Sequence, residues 1–415
     1  MAVLPNNKNI FSLVFTIFLD FLSFGIILPI LAPVLLDPVK GILPQEYSYA
    51  SRTIILGFMI GTFPMTQFFG APILGSLSDK YGRKKILLIS IAGTALSLVM
   101  FAVGILWRNV FLLFFSRAVN GITGGNVSTA QSAIADMSDS TSRARNFGLI
   151  GMAFGLGFVL GPLVGGKLAD ANSVAWFDYA TPFWFAALLS FINVILISVW
   201  LKETLLHPKK DALISFTTGL RNVKKALLNG HFRIIFAVVF LGMFGFTFFT
   251  QFFQVYLITK FNLNQAELGE LYAYIGLWIA FTQGGLTRLL SKRLPPQKII
   301  RVSLLTLSAG LIILLVPERL SLIYLFIPLV SLSQGLTMPN VTSIVSNSVR
   351  DEEQGEILGI NQSVQSVAFA MPPIIAGIVT SIDYRLPIIL ASGFTFLGWL
   401  LCMAYPRHFQ IQLWQ

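Results

Sequence analysis

Asp20 stands about ten residues into an apolar run covering 10–32, which puts its carboxyl near mid-depth of any membrane that run crosses. An ionised carboxylate is costly at that depth, and an acid placed there is a group that can load and release a proton. The plainer reading is a structural acid bonded to a neighbouring helix. Arg117 lies in another apolar run, 110–135, about seven residues into it from the outer side. At ~1.5 Å of rise per residue the two side chains differ in depth by roughly 7 Å, a gap that a long guanidinium spans. Pairing would tie proton arrival to separation of the pair, whereas a snorkelling or purely structural arginine is the alternative. Other chemistry is scarce. Cys402 is the single cysteine, and His207, His231 and His408 fall outside or at the edges of the apolar runs. A disulfide framework is thereby excluded, a cysteine or histidine metal cluster within the membrane is not expected, and the lack of an intramembrane His or Cys pair argues against an enzyme.

These groups must be positioned by helices that cross a bilayer. Of the 415 residues, 55% are hydrophobic and only 11% charged, too apolar for a water-facing surface. Twelve apolar runs follow one another, at 10–32, 53–75, 86–106, 110–135, 146–169, 181–201, 232–258, 267–290, 299–316, 321–346, 357–381 and 386–405. The fold class predicted is an all-α membrane protein with twelve crossings. The formal charge of +11 is not a nucleic-acid footprint, because placing both termini in the cytoplasm puts 21 Lys and Arg inside against seven outside. No cleavable signal peptide is expected before the first run. The longest polar interval, 202–231, carries Lys209, Lys210, Arg221, Lys224 and Lys225 and separates six runs from six. Its stretch 216–228 reads as a basic amphipathic helix for anionic lipid or, more plainly, as a solvated charge run that sets topology. The halves 1–201 and 232–415 repeat weakly at a constant offset of 211 residues, with Gly124 on Gly335, Ser132 on Ser343, Gly148 on Gly359, Pro162 on Pro373 and Gly166 on Gly377. A duplicated six-helix unit is a construction common among secondary transporters.

Three motifs carry a resemblance. The loop after the second run reads GSLSDKYGRKK, Gly75 to Lys85; the fourth run holds RAVNGITGG, Arg117 to Gly125; the fifth holds GLGFVLGPLVGG, Gly155 to Gly166. Together they resemble the major facilitator superfamily, and within it the drug:proton antiporters, most closely the tetracycline-antiporter branch. FLDFLSFGIILPIL in the first run and IADMSDSTSRARNFG before the fifth are similar to that branch in wording and spacing. The chain departs from it where the branch carries an acid in the third and ninth helices. Here Ser97 stands near the first place and 299–316 holds no acid, so tetracycline with its metal ion is not the expected substrate. The second half's LLSKRLPPQK has lost the acid and glycine of the loop motif.

The resemblance implies two pseudo-symmetric six-helix bundles working by alternating access. It implies a cytoplasmic gate of Gly75, Asp79, Gly82, Arg83 and Asp136, for which a topology-only role is the alternative. An antiporter motif would comprise Gly157, Gly161, Pro162, Gly165 and Gly166. Gly157, Gly161 and Gly165 recur every four residues and so share one packing face. In such folds the first, fourth, seventh and tenth helices face the centre, which nominates Asn120, Phe248, Gln251, Gln334 and Asn340 beside Asp20 and Arg117. Phe154, Tyr272, Trp278, Asn361 and Gln365 are added from the fifth, eighth and eleventh. Amides, aromatics and one acid suit an amphipathic or weakly cationic organic molecule, whereas a phosphate or dicarboxylate would call for several inward arginines. The expected function is proton-coupled export of such a compound, with a proton-coupled importer or facilitator of a nutrient as the alternative. No cofactor beyond the proton gradient is expected. The expected partners are a small-molecule substrate, protons and the lipid bilayer, with no nucleic acid, and the expected form is a monomer in a bacterial inner membrane.

Overall fold

The computed structural model describes residues 7–138, 142–205, 217–228, 232–346, 349 and 354–404, and their regular structure is entirely helical. In chain order the helices are α1 (Asn7–Ile27), α2 (Leu31–Leu36), α3 (Tyr49–Tyr81), α4 (Arg83–Leu106), α5 (Val110–Thr123), α6 (Asn126–Asp136), α7 (Arg143–Leu168) and α8 (Thr181–Trp200). After the short α9 (Thr218–Leu228) come α10 (Arg233–Phe261), α11 (Gln265–Phe281), a π-helical turn (Thr282–Leu286), α12 (Thr287–Ser291), α13 (Pro296–Ile313), α14 (Leu320–Ser346), α15 (Gln354–Thr380) and α16 (Leu386–Ala404). Ten spans are long and apolar enough to cross a membrane, with α1 and α2 together making the first. The fourth and eighth expected crossings fall on interrupted elements, α5 with α6 and α11 with the π turn and α12.

The interruption of the fourth crossing corrects the continuous helix expected over 110–135. α5 stops at Thr123 and α6 restarts at Asn126, with Gly124 and Gly125 between them. An unpaired backbone carbonyl inside a membrane is costly, so such a break persists only where side chains take over. Gln67 Nε2 on α3 donates to the Gly124 carbonyl at 2.8 Å, and the Ser90 hydroxyl on α4 donates to the Thr123 carbonyl.

By internal contacts the chain forms two compact units. The first comprises Met1–Tyr47, Thr62–Thr217 and Asn264–Ala273, the second Ser48–Gly61, Thr218–Leu263 and Tyr274–Gln415, so α3 and α11 each contribute to both. In the first unit, Leu13, Ile17, Leu87, Ile91, Ala133, Ile134 and Ile197 form a buried core. The buried pair Thr16 and Asn193 fastens α1 to α8, with the Asn193 Nδ2 donating to Thr16 Oγ1 at 3.1 Å. Lipid tails are as apolar as leucine, so close packing and buried hydrogen bonds rather than escape from water hold such helices together. The second unit shows the same economy of means: Thr337 donates to Ser303 at 2.8 Å, Thr306 and Ser333 share a 2.7 Å bond, and Ser308 and Ser392 a 3.0 Å bond, joining α13 to α14 and α16.

One repeat pair keeps an equivalent job in each unit. A Cβ placed on Gly166 would lie 3.1 Å from Gly269 Cα, and one on Gly377 would lie 2.9 Å from Gly57 Cα. Both members therefore mark a glycine-to-glycine helix crossing. Within the polar interval 202–231, α9 forms over most of the expected amphipathic stretch. Asn222 Nδ2 donates to Ser363 Oγ at 3.1 Å and Ala226 joins the second unit's core, while Leu220, Leu227 and Leu228 are exposed. Phe216, Lys209, Lys210 and the three histidines lie outside the described residues.

Candidate functional site

Asp20 is held by a residue that the sequence did not single out. Asn126 Nδ2 donates to Asp20 Oδ1 at 2.8 Å and also lies 3.3 Å from Thr94 Oγ1 on α4. Asn126 occupies this place because it opens α6 just beyond the glycine break, which turns its amide toward α1. The sequence offers only a Gly-Gly pair followed by a polar residue at depth, which does not by itself announce a break. α1 in turn is set by α7. A Cβ on Gly161 would come within 2.6 Å of the Leu22 carbonyl oxygen and 2.8 Å of Gly25 Cα. Gly157 and Gly165 face Phe21 and Ile26 in the same way, and Pro162 packs on Gly25. The glycine face of α7 therefore lies directly along the segment of α1 that bears Asp20, while Gly166 serves the α11 crossing.

The expected pairing of Arg117 with Asp20 is not made. The guanidinium instead lies over the Phe63 ring of α3, its Cζ 4.9 Å from the centroid, and no ion pair to it exists among the described residues. Residue rise predicts depth along a helix but not the direction around it, and α5 directs Arg117 toward α3. Beyond Phe63 a row of aromatic rings runs back to the neighbourhood of Asp20. Centroids are 6.5 Å apart for Phe63 and Phe24, 5.9 Å for Phe24 and Phe158, 5.3 Å for Phe158 and Phe154, and 4.5 Å for Phe154 and Phe21. All five rings are partly exposed. Of these, sequence reasoning named Phe154 alone, since a chain with 37 phenylalanines gives no composition signal for the other four. Ser97, near the place where the resembled branch carries an acid, is buried and donates to the Thr94 carbonyl at 2.7 Å on its own helix.

At the α3–α4 turn, Asp79, Arg83 and Asp136 do meet. Arg83 Nη1 pairs with Asp79 Oδ1, its Nε with Asp136 Oδ2 at 3.1 Å, and Nη1 also donates to Ser78 Oγ at 2.7 Å. The Arg83 side chain is only 10% exposed, which lifts this network above the near-zero worth of a surface ion pair. Gly82 has φ 101°, a left-handed backbone that favours glycine, and a side chain there would strike the Glu203 carboxylate. Gly75 faces open space. Glu203 is the second residue that sequence reasoning missed. Its Oε1 accepts from the Arg83 backbone N–H at 2.8 Å and its Oε2 from that of Lys84 at 3.2 Å, so a carboxylate 120 positions away caps the start of α4. We expect Glu203→Ala to lower stability by about 1–2 kcal/mol, the usual worth of an N-cap, read as a lower thermal midpoint of the detergent-solubilised protein.

The remaining nominees divide by exposure. Asn120, Trp278 and Gln365 are partly exposed, whereas Gln251, Tyr272, Gln334, Asn340 and Asn361 are buried. Phe248 is 0% exposed between Phe244 and Phe394 and presents no surface to a ligand. Asn340 Nδ2 is engaged by the Leu336 carbonyl of its own helix at 2.8 Å, while Asn361 Oδ1 and Trp278 Nε1 are buried without a partner. No group of three or more His, Cys, Asp or Glu side chains among the described residues could hold a metal ion.

A family model described as Major Facilitator Superfamily matches residues 13–373. The Quinolone resistance protein NorA of Staphylococcus aureus is 29% identical over 407 residues, covering 97% of each chain. The class H tetracycline resistance protein of Pasteurella multocida is 28% identical over 385 residues, covering 90% of each. Among solved structures, the human organic anion transporter MFSD10 (TETRAN) shares the fold with a TM-score of 0.71 at 23% identity, over 96% of this chain and 99% of that one. A bacterial homolog of the human lysosomal transporter Spinster does so with a TM-score of 0.75 at 14% identity, over 96% of each. With helices that cross the membrane many times, a family match over most of its length and relatives of near-equal length, this protein is a membrane transporter of the major facilitator superfamily and not an enzyme.

Proposed function

We propose that the chain exports a small amphipathic organic compound in exchange for protons, by alternating access of two six-helix halves, 1–201 and 232–415, joined by 202–231. The observation that carries this reading is Asp20, an intramembrane acid bonded to Asn126 at the start of an interrupted helix. Among the described residues its hydrogen-bond partner is a neutral amide, which can serve the protonated and the ionised acid alike, so proton exchange there does not require a salt bridge to be broken. Asp79, Arg83 and Asp136 act in this reading as a gate on the cytoplasmic side, and Gly157, Gly161, Pro162 and Gly165 keep α1 and α7 sealed around the acid. Both termini lie in the cytoplasm of a bacterial cell, the inner membrane is the site of action, and a monomer with no cofactor but the proton gradient suffices. The names of the two resistance proteins support export rather than import.

Right-side-out vesicles loaded with a cationic dye such as ethidium test the reading, alongside a panel of drug-like compounds. Acidifying the outside should drive efflux of at least one compound against its gradient. Uptake in the same gradient would assign the chain to the importers, and transport indifferent to the gradient would remove proton coupling.

A further inference from the structure

We propose that α9 is a docking strip for the surface of an anionic phospholipid bilayer, with Leu220 and Leu227 among the acyl chains and Arg221, Lys224 and Lys225 at the lipid phosphates. The inference concerns a part of the second unit that the transport reading leaves without a task. One face of α9 is fastened to the protein: Gly219 and Ala226 are buried, and Asn222 Nδ2 donates to Ser363 Oγ at 3.1 Å. These contacts fix its level. Ser363 lies seven residues into the uncharged stretch of α15 that follows Glu356, ~10 Å at the usual helical rise. Ala226 shares a core cluster with Ile235 and Phe236 in the first turn of α10 and with Ile357 and Ile360 near the start of α15. A helix lying on a bilayer sinks its apolar side about 5–10 Å into the boundary between headgroups and chains. The packing thus holds α9 at that boundary.

The rest of its surface is divided in two. Leu220 and Leu227 are exposed and stand seven positions apart, so they form one apolar strip along a flank of the helix. Arg221, Lys224 and Lys225 are exposed on the turns between them, turned away from the face that Gly219, Asn222 and Ala226 present to the protein. The charge is of one sign, since no Asp or Glu stands anywhere from Ala212 to Ala266. Among the described residues Arg221 and Lys224 enter no salt bridge. A helix that only met water would gain nothing from an exposed leucine strip, and a nucleic acid would have no use for it. A bilayer with negative headgroups answers both halves, taking the strip by burial and the cations by charge complementarity.

A bimane fluorophore on Leu227→Cys, in the full-length protein reconstituted into bilayers, tests both halves at once. The native Cys402 is buried, and the parent chain treated with the same reagent supplies the blank. Lipids brominated on their acyl chains quench only a probe that they touch. In a phosphatidylcholine background, brominated phosphatidylglycerol should reach half-maximal quenching at about a fivefold lower mole fraction than brominated phosphatidylcholine, the worth of one cation held at an anionic surface. Combining Arg221→Gln, Lys224→Gln and Lys225→Gln should bring the two mole fractions together while the quenching itself persists. Should that variant not fold, ~1 M salt, which screens charges beyond ~3 Å, must narrow the gap in the chain that keeps its cations. Absence of quenching by either lipid would overturn the proposal, water-like emission then marking a solvated charge run and blue-shifted emission a strip covered by protein. Equal mole fractions with the cations in place, or a gap that survives their loss or the added salt, would overturn it as well. Neither substrate nor proton gradient enters the measurement, so its failure is separable from that of the transport test.

Discussion

Asp20→Asn should abolish substrate movement against a gradient while leaving the protein folded and able to equilibrate substrate downhill. Asparagine has the shape of aspartate but exchanges no proton at any working pH, so every cycle that depends on protonation at this place is lost. Accumulation ratios in vesicles under an imposed pH difference should fall to unity, whereas the wild type should sustain a ratio of about tenfold per unit of pH for one proton per uncharged substrate, each factor of ten being ~1.4 kcal/mol. The fold should tolerate the change because the new amide oxygen can still accept from Asn126 Nδ2, the bond that Asp20 makes now at 2.8 Å. A thermal midpoint close to that of the wild type separates lost coupling from lost structure. Full uphill transport by the folded variant would place the proton-carrying group elsewhere.

Gly161→Val should be strongly damaging. Its first side-chain carbon would fall 2.6 Å from the Leu22 carbonyl oxygen and 2.8 Å from Gly25 Cα, and both obstacles are backbone, which cannot swing aside. α1 and α7 would have to separate, taking with them the alignment that brings Asp20 to Asn126. Overpacking of this kind costs about 1–3 kcal/mol where side chains can adjust, and a backbone-on-backbone clash belongs at the upper end. Gly151→Val on the same helix provides the control, since nothing lies within 4 Å of a Cβ there. Its stability should change by no more than ~0.5 kcal/mol. Comparable losses in both variants would show that α7 tolerates no added bulk anywhere and that the α1 contact is not special.

How far the sequence reveals such features depends on whether they are local. Apolar runs of membrane-crossing length are read from composition alone, because each helix satisfies its own backbone inside the bilayer. The four-residue spacing of Gly157, Gly161 and Gly165 likewise declared a close contact, although not that α1 would be the partner. The glycine break at Gly124–Gly125 was hidden, since glycine is common in membrane helices and most such positions stay helical. What turns this pair into a break is the presence of Gln67 and Ser90 on two other helices, and nothing near residue 124 announces them. The partners of Asp20 and Arg117, and the Glu203 carboxylate on the Arg83 backbone, were missed for a related reason. Each is fixed by rotation about a helix axis or by a segment far along the chain, as Glu203 is for the start of α4. Depth can be counted in residues, but azimuth is decided by packing.

The same two side chains determine how the interrupted crossing behaves when the protein works. A gap between α5 and α6 would ordinarily be a weak point, free to bend and to let its lower portion swing. Here the Thr123 and Gly124 carbonyls are claimed from α4 and α3, so flexing the gap would strip the Gly124 carbonyl of its Gln67 donor and leave the Thr123 carbonyl with the Gly125 N–H alone. The gap is thus a welded corner. Strain applied at either end is handed on to four helices at once, and the carboxyl of Asp20 travels with that block instead of moving within it.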